Sequence, residues 1–273
     1  MNAVCGSNGN FTSNKSNLLS LRVWPEFSTV GLAMWPAGYY LAEWILRPKS
    51  HELFNQGKTI LELGAGVGLS AICLERAINK NSEAKKSKII LTDYLDTVLH
   101  NCQLNMELNS INSVLLQEDV NWSEAIKSTT SDEDKESKNQ QETNVFISRL
   151  DWTNFNEQQL ASLNVDVIIA ADVIYDVTVV EGLVHVLSVV MENNPSAKCY
   201  IVVTKRNEKT YALFETECKK RGITSEDITR DHAPLKLSTS SQDASDSTLA
   251  SMNQFAFLQT YPCHISLYSM SKK

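Results

Sequence analysis

The sequence predicts a doubly wound α/β fold, with a mostly parallel sheet and helices on both of its faces. Apolar runs of strand length alternate with helical patterns along most of the 273 residues. A glycine-rich turn joins the first buried strand to a helix. The run VDVIIAADVIY (165–175) is apolar almost throughout, as a central strand covered on both faces requires.

The N-terminal part of the chain carries two predicted helices behind a polar tail. Residues 1–28 are expected to be a partly disordered tail, in which LLSLRVW (18–24) forms a short strand or a covering segment. Pro36 begins a helix, since apolar residues follow it at helical spacing. Pro48 interrupts that pattern, and a second short helix is predicted after it.

Strands and helices then alternate in βα units. Residues 59–63 form a buried strand that leads through the glycine turn into a helix starting near Gly68. The second strand covers residues 87–94 and includes Asp93 near its end, and an amphipathic helix covers 95–109. Further strands are predicted at 144–152, 165–175, 198–206 and 263–270, with helices at 179–194 and 209–223.

Residues 29–273 are therefore expected to form one domain, interrupted by two polar segments. Residues 123–143 mix both charges with Ser, Thr and Gln and show no apolar periodicity, which predicts a disordered insertion. Residues 236–252 are rich in Ser and Thr and predict a mobile loop.

The composition of the chain argues against several classes of function. The net charge of −7 gives no basic footprint, so direct nucleic-acid binding is not expected. The N-terminus has no apolar signal-peptide core, and no run of 18 apolar residues predicts a membrane span. The six cysteines form no C-x-x-C pair and the five histidines do not cluster, so we expect no metal site. These features favour reduced thiols in a cytoplasmic protein, with the nucleus as an alternative, and we expect a monomer.

The glycine turn LELGAGVGL (61–69) is the strongest chemical signal. Glycines between a strand and a helix let a ligand approach the backbone at the carboxyl end of the sheet. A dinucleotide fingerprint G-x-G-x-x-G would place its third glycine at position 69, which is Leu69, so a nicotinamide oxidoreductase is disfavoured. Glu62 precedes the glycines and is expected to belong to the same ligand site as a cofactor-binding residue. Asp93 stands where a carboxylate takes ribose hydroxyls, unless it only caps the next helix.

Taken together, these segments resemble the seven-β-strand methyltransferases, and more narrowly the family sixteen group of protein-lysine methyltransferases. The resemblance covers roughly residues 29–270. The segments that carry it are TVGLAMWPAGYYLAEWIL (29–46), ILELGAGVGL (60–69), LTDY (91–94), RLDW (149–152) and DVIIAADVIYD (166–176). It implies a Rossmann-like sheet of seven strands, S-adenosyl-L-methionine as cofactor, and a protein substrate.

The roles of the site residues follow from the same resemblance. Trp35 packs against the cofactor, Gly64, Ala65 and Gly66 form the cofactor turn, Asp93 binds the ribose, and Trp152 with Asp151 lies beside the adenine. Ala171 lies near the methionine part, and Asp172 and Tyr175, a D-x-x-Y motif, lie at the rim of the substrate channel. Aromatic faces suit a sulfonium cation and a purine ring. Core packing of the two tryptophans and helix capping by Asp172 are the structural alternatives.

The sequence leaves the substrate open. The segments YLAEWIL, RLDW, AADVIY and VVTKRNEKTYALFETECKKRGI (202–223) are most similar to the branch that methylates eukaryotic elongation factor 2, whereas STVGLAMW is similar to a sister branch acting on a nuclear nucleic-acid-binding protein. A small molecule or a nucleic acid as substrate is disfavoured, since the chain is acidic and has no Pro-Pro pair. A non-catalytic binding module of the same fold is a further alternative.

Overall fold

The computed structural model describes residues 18–24, 29–55, 57–78, 86–117, 120–130, 143–229 and 265–272. The strands are β1 (Thr59–Leu63), β2 (Lys88–Asp93), β3 (Ser113–Leu115), β4 (Val145–Arg149), β5 (Val167–Ala171), β6 (Lys198–Thr204), β7 (Ile223–Asp227) and β8 (Ile265–Lys272). The helices are α1 (Pro36–Ile45), α2 (Pro48–Phe54), α3 (Leu69–Ile78), α4 (Asp96–Leu108), α5 (Trp122–Thr130), α6 (Glu157–Ser162), α7 (Val180–Asn193) and α8 (Glu208–Lys220).

The eight strands form one sheet in the order β3-β4-β2-β1-β5-β6-β8-β7. The pairs from β3 to β6 are parallel, whereas β8 runs antiparallel to both β6 and β7. The chain leaves β1 toward β2 on one side and later returns to β5 on the other, so the strand order reverses between β1 and β5. The predicted mostly parallel α/β fold is confirmed, and a crevice for ligands is expected at this reversal.

The sheet has eight strands, whereas the family resemblance implies seven and the sequence patterns located six. The strand that the sequence did not predict at one edge is β3, whose three residues are all half-buried and too few to show an alternation. The strand β7 was also not predicted, because only its first residue, Ile223, is buried. Short or largely exposed strands show no alternation of apolar and polar residues in the sequence. Their extended structure depends on pairing with a neighbouring strand.

Two apolar cores flank the sheet. One core contains side chains of α1, α2, α3 and α4, and the other contains side chains of α5, α6, α7 and α8. Adjacent residues of β1 face opposite cores: Ile60 packs in the first and Leu61 in the second. Helices therefore cover both faces, as the continuous apolar strands predicted.

The segment 18–24 is a covering segment and not a strand. It lies along α4, where three asparagines spaced four residues apart bind its backbone: Asn101, Asn105 and Asn109. The fully buried Asn105 accepts from the Arg22 amide at 2.6 Å and donates to the Val67 carbonyl at 2.9 Å. This helix face thus ties the covering segment to the glycine turn. Residues 1–17 lie outside the described residues.

The helix α5 corrects the prediction that residues 123–143 are disordered. It occupies the first part of that range, and both Trp122 and Ile126 are buried in the core on its face of the sheet. Two apolar residues four positions apart suffice for one buried helix face, and the surrounding Ser, Thr and charged residues concealed this short period. Residues 131–142 and the predicted mobile loop 236–252 lie outside the described residues.

The strand β5 ends at Ala171, four residues before the predicted end of the apolar run. Asp172 adopts a left-handed backbone with φ of 56°, which stops the extended conformation. Among the described residues, four cysteines are buried and free, no helix is long and apolar enough to cross a membrane, and no cluster of three metal-binding side chains occurs.

Candidate active site

The glycine turn between β1 and α3 requires glycine for two physical reasons. Gly64, Gly66 and Gly68 have φ values of 65°, 53° and 79°, a region that side chains with a Cβ rarely adopt. A Cβ on Gly64 would approach Val173 Cγ1 to 2.9 Å, and one on Gly66 would approach the Gly31 carbonyl to 3.2 Å. The turn therefore presents bare backbone at the carboxyl end of the sheet.

Asp93 ends β2 beside this turn. Its carboxylate accepts the Gly66 amide at 3.2 Å and the Tyr94 and Leu95 amides at 2.8 and 3.4 Å. Burial raises the pKa of Asp93, and the three amide hydrogen bonds oppose that rise. A carboxylate has about four lone-pair sites, so one remains for a ligand hydroxyl. The N-cap position of α4 is Leu95, so capping does not explain Asp93.

Glu62 lies beneath the turn and is 3% exposed. The Ser70 hydroxyl donates to its Oε1, while Oε2 has no hydrogen-bond partner among the described residues. Burial raises the pKa of Glu62 to about 8; the Ser70 hydrogen bond opposes this, and the nearby Asp93 charge adds to it. The structure therefore places an uncommitted carboxyl oxygen under the glycine turn.

Trp152 forms a wall on one side of the turn. Its ring atoms Cζ2 and Cη2 lie 3.7 Å from where a Cβ of Gly64 would be. Asp151 holds the turn that contains Trp152, because its Oδ1 accepts the Thr153 amide at 2.9 Å and the Thr153 hydroxyl at 2.7 Å. These hydrogen bonds lower the pKa of Asp151 and keep it ionised.

Trp35 belongs to the segment that covers the other side of the turn. Its indole Nε1 donates to the Val30 carbonyl at 3.0 Å, which fixes the ring against the short 3-10 turn Val30–Leu32. Gly31 of that turn lies against Gly66. Trp152 thus lies against the glycine turn, and the segment that holds Trp35 reaches the turn through Gly31. Each tryptophan is half-buried.

Asp172 follows Ala171 at the end of β5, and each oxygen of its carboxylate accepts one hydrogen bond from a protein group. Its Oδ1 accepts the Thr204 amide at 2.9 Å, and its Oδ2 pairs with Arg206 Nη2 at 2.9 Å. The side chain is only 7% exposed. The next helix, α7, begins eight residues later, with Val179 as its N-cap, so Asp172 does not cap it.

Tyr175 lies at the rim of the same edge and is 49% exposed. Its pKa is raised first by partial burial and then by the proximity of Tyr94 and Asp93. The D-x-x-Y motif therefore joins two parts of the site: Asp172 faces the end of β6, whereas Tyr175 faces the end of β2.

Arg206 was not among the residues predicted from the sequence. Its guanidinium carbon lies 4.7 Å from the centroid of the Trp35 ring while its Nη2 binds Asp172. It therefore connects a residue predicted to bind the cofactor with one predicted to bind the substrate. A single arginine two positions after a strand does not form a recognisable sequence motif. Its location at the carboxyl end of β6 is the one signal that could have suggested a role in the ligand site.

These residues fit an adenosyl cofactor with a sulfonium group. Gly64 and Gly66 have no room for a Cβ and expose backbone at the turn, and Asp93 keeps an acceptor position. The orphaned Glu62 oxygen and the Trp152 ring lie at the turn, and the segment that holds Trp35 reaches it through Gly31. Backbone amides, a ribose acceptor and aromatic faces are the groups that such a molecule needs.

The chain is similar in sequence to known lysine methyltransferases. The family model described as lysine methyltransferase matches residues 15–137 and 132–220. The human protein-lysine N-methyltransferase EEF2KMT is 30% identical over 72% of this chain and 52% of its own length. The Saccharomyces cerevisiae protein-lysine N-methyltransferase EFM3 is 27% identical over 72% of this chain and 50% of its own length.

A Dictyostelium discoideum uncharacterized protein is 30% identical over 75% of this chain and 53% of its own length. The chain therefore spans about half the length of the curated relatives it matches. The matched part includes every residue of the candidate site, from Trp35 to Arg206.

Proposed function

Because this chain belongs to the lysine methyltransferase family, we propose that it transfers a methyl group from S-adenosylmethionine to a lysine of a protein substrate. The observation that carries the proposal is that the glycine turn after β1 and the pair Asp172 and Tyr175 after the neighbouring strand β5 lie at one edge of the sheet. The first part suits the cofactor, and the second suits an amine.

The chain's own residues would hold the cofactor around the glycine turn. When bound, S-adenosylmethionine supplies an electrophilic methyl group on a sulfonium cation. Asp93 would accept the ribose hydroxyls, and Trp152 would lie beside the adenine. Trp35 would pack against the cofactor, and Ala171 would lie near its methionine part. Glu62 would support the turn from below through its carboxyl group. These contacts would align donor and acceptor, which is the main contribution to a displacement of this kind.

The substrate amine needs a different set of groups. A lysine amine has an ordinary pKa near 10.4 and must lose its proton before it can attack. Asp172 would orient the nitrogen through a hydrogen bond, and the Tyr175 ring would line the channel at the rim. A dedicated general base is not required, because a partly desolvated site already favours the neutral amine.

Elongation factor 2 is the proposed protein substrate. The relatives named EEF2KMT support it, as does the similarity of the segments around Arg149 and residues 202–223 to the branch that acts on this factor. A cytoplasmic location follows from that substrate. The sister branch acting on a nuclear nucleic-acid-binding protein provides the alternative target, because the segment STVGLAMW (28–35) resembles it.

Methyl transfer can be tested directly. Extract from cells lacking this protein is incubated with the purified protein and tritium-labelled S-adenosylmethionine, and the labelled band is identified by mass spectrometry. We expect label on a lysine of elongation factor 2, and none after that lysine is replaced by arginine. Label on another protein would change the substrate, whereas label confined to nucleic acid or small metabolites would contradict the proposed activity.

Asp172→Asn tests the substrate-binding half of the site. The substitution keeps the shape but removes the charge, so we expect methyl transfer to fall about 100-fold if one charge-assisted hydrogen bond of roughly 2–3 kcal/mol is lost. Asp176→Asn is the matched control: it lies four residues away, is exposed, and binds only Thr178 in its own turn. Normal turnover by Asp172→Asn would contradict the assignment.

A further inference from the structure

We infer that Arg206 is a positioning residue that balances the charge of Asp172, so that the substrate lysine can be bound there as a neutral amine. The inference rests on the proposed function. It assigns a role in the reaction to a residue that neither the family resemblance nor the glycine motif identifies.

Three contacts define the position of Arg206. Its Nη2 binds Asp172 Oδ2 at 2.9 Å, and its guanidinium lies over Trp35 at 4.7 Å. Trp35 is in turn held by the Val30 carbonyl, and the other oxygen of Asp172 is held by the Thr204 amide. Both surfaces that Arg206 contacts are therefore fixed by backbone groups. A planar guanidinium can bind a carboxylate at its edge and an aromatic ring at its face, which an ammonium cannot do.

The other charged groups at this edge do not replace Arg206. Of the described residues, Arg206 alone places a cation within 4.0 Å of the Asp172 carboxylate. Lys205, also after β6, faces the Tyr211 ring at 4.4 Å on the side of α8. On α1, which packs against β5 and β6, Glu43 and Arg47 pair with each other.

Acids and phenols also lie at this edge of the sheet. Asp93 and Glu62 lie at the ends of β2 and β1, Asp176 lies further along the same loop, and Tyr175 and Tyr94 lie at the rim. Arg149, at the end of β4, is a further cation at this edge, and its Nε donates to the Tyr94 carbonyl at 3.1 Å. Among the cations of the described residues, Arg206 is the one that pairs with Asp172.

That electrostatic balance matters because only the neutral amine has a lone pair for attack. An unpaired carboxylate within hydrogen-bond distance favours the ammonium form and raises the pKa of the lysine. The Arg206 guanidinium opposes this effect, while the carboxylate keeps an acceptor position for the amine. Asp172 can then orient the nitrogen of the substrate lysine without favouring its protonated, ammonium form.

The test is the pH dependence of methyl transfer by the wild type, Arg206→Gln and Arg206→Lys. Initial rates of tritium transfer into protein of the deficient extract are measured between pH 6.5 and 9.5, with enzyme-free extract subtracted. We expect the rising limb of Arg206→Gln to move up by about one pH unit, so its rate falls about tenfold near neutral pH and recovers at high pH. Arg206→Lys keeps the charge and should keep the wild-type midpoint at a lower rate.

A double variant shows whether Arg206 acts through Asp172. In the Asp172→Asn background, Arg206→Gln should cause no further shift of the midpoint, since no carboxylate remains to be balanced. Affinity for S-adenosylhomocysteine, measured by calorimetry, should stay within about threefold of wild type in Arg206→Gln. Loss of that affinity would assign Arg206 to the cofactor and overturn the inference.

The remaining outcomes separate the inference from the proposed function. A rate that falls equally at every pH in Arg206→Gln, with an unshifted midpoint, would show a merely structural role and contradict the inference alone. Absence of protein labelling by the wild type would contradict the proposed function, and the inference with it.

Discussion

At the residue scale, the buried Glu62 makes the stability of this protein depend on pH. An unfolded glutamate loses its proton near pH 4.5, whereas burial raises the pKa of folded Glu62 to about 8. Between these values the unfolded state binds fewer protons, so stability falls as pH rises, by roughly 1.4 kcal/mol per pH unit. Chemical denaturation of wild type and Glu62→Gln between pH 5 and 8 measures the effect.

Glu62→Gln removes the titration and keeps an oxygen that can accept the Ser70 hydroxyl. We therefore expect the difference in unfolding free energy to favour the variant increasingly toward pH 8. Other titrating groups cancel in this difference, because both proteins carry them. A difference that is constant with pH would show that Glu62 is ionised throughout this range in the folded protein.

Gly64 in the glycine turn can be compared with Gly222, a second glycine with a left-handed backbone. Gly64 and Gly222 both have left-handed φ values, 65° and 70°, so the backbone strain of alanine at either should cost about 1 kcal/mol of stability. The close approach to Val173 should make Gly64→Ala more destabilising than Gly222→Ala. A Cβ at Gly64 meets Val173 and the Trp152 ring, whereas at Gly222 nothing lies within 4 Å. Only Gly64→Ala should therefore lose S-adenosylhomocysteine binding, measured by calorimetry. Equal binding by both variants would remove the turn from the site.

The sequence predicted these residues because glycines and acids at the ends of buried parallel strands are typical of ligand sites. Gly64, Gly66 and Asp93 meet at one turn in the structure, as their spacing implied. The sequence could not show that the Asp172 carboxylate is already bound by Arg206, since 34 residues separate the two. Contacts between side chains at the ends of different strands depend on the strand order and register of the sheet. Local sequence patterns do not determine either of these.

At the element scale, α5 has the clearest consequence for stability. Ile126 is 4% exposed and packs in the core on the α7 face of the sheet. Ile126→Ala should therefore reduce the unfolding free energy by about 2–4 kcal/mol, measured by urea denaturation. Deletion of residues 123–143 should destabilise for the same reason, although composition alone predicts a neutral deletion.

Glu124→Ala is the control on the same helix, because its side chain is exposed and contributes only to the first turn. Its effect should stay within about 0.5 kcal/mol. If Ile126→Ala were equally mild, the packing of α5 against the sheet would be contradicted and the composition-based prediction would stand.

The elements that the sequence predicted well are those with many buried residues. The strands β1, β2 and β5 and the helices α1, α4 and α7 agree with the expected segments within a few residues, apart from the early end of β5. Each of these buries a run or a full face of apolar side chains, so the local pattern and the tertiary packing coincide. By contrast, α5, β3 and β7 bury only one or two residues or none fully.

At the scale of the whole molecule, the candidate site is assembled from distant parts of the chain. Trp35 comes from the segment before α1, Asp93 from β2, Trp152 from the loop after β4, and Arg206 from the loop after β6. They converge because parallel strands bring their carboxyl ends to one edge, and the reversal between β1 and β5 opens a crevice there. Binding in this crevice should therefore stabilise the entire sheet.

Cofactor binding can thus be measured as global stability. S-adenosylhomocysteine at about 100 times its dissociation constant should add roughly 2.7 kcal/mol to the unfolding free energy. For a domain of this size, that raises the midpoint of thermal unfolding by about 5–10 °C. The same concentration of NAD should cause no shift, because the glycine spacing around Leu69 departs from the dinucleotide pattern. Gly64→Ala should lose the shift while Gly222→Ala retains it, and a shift with NAD alone would instead favour an oxidoreductase.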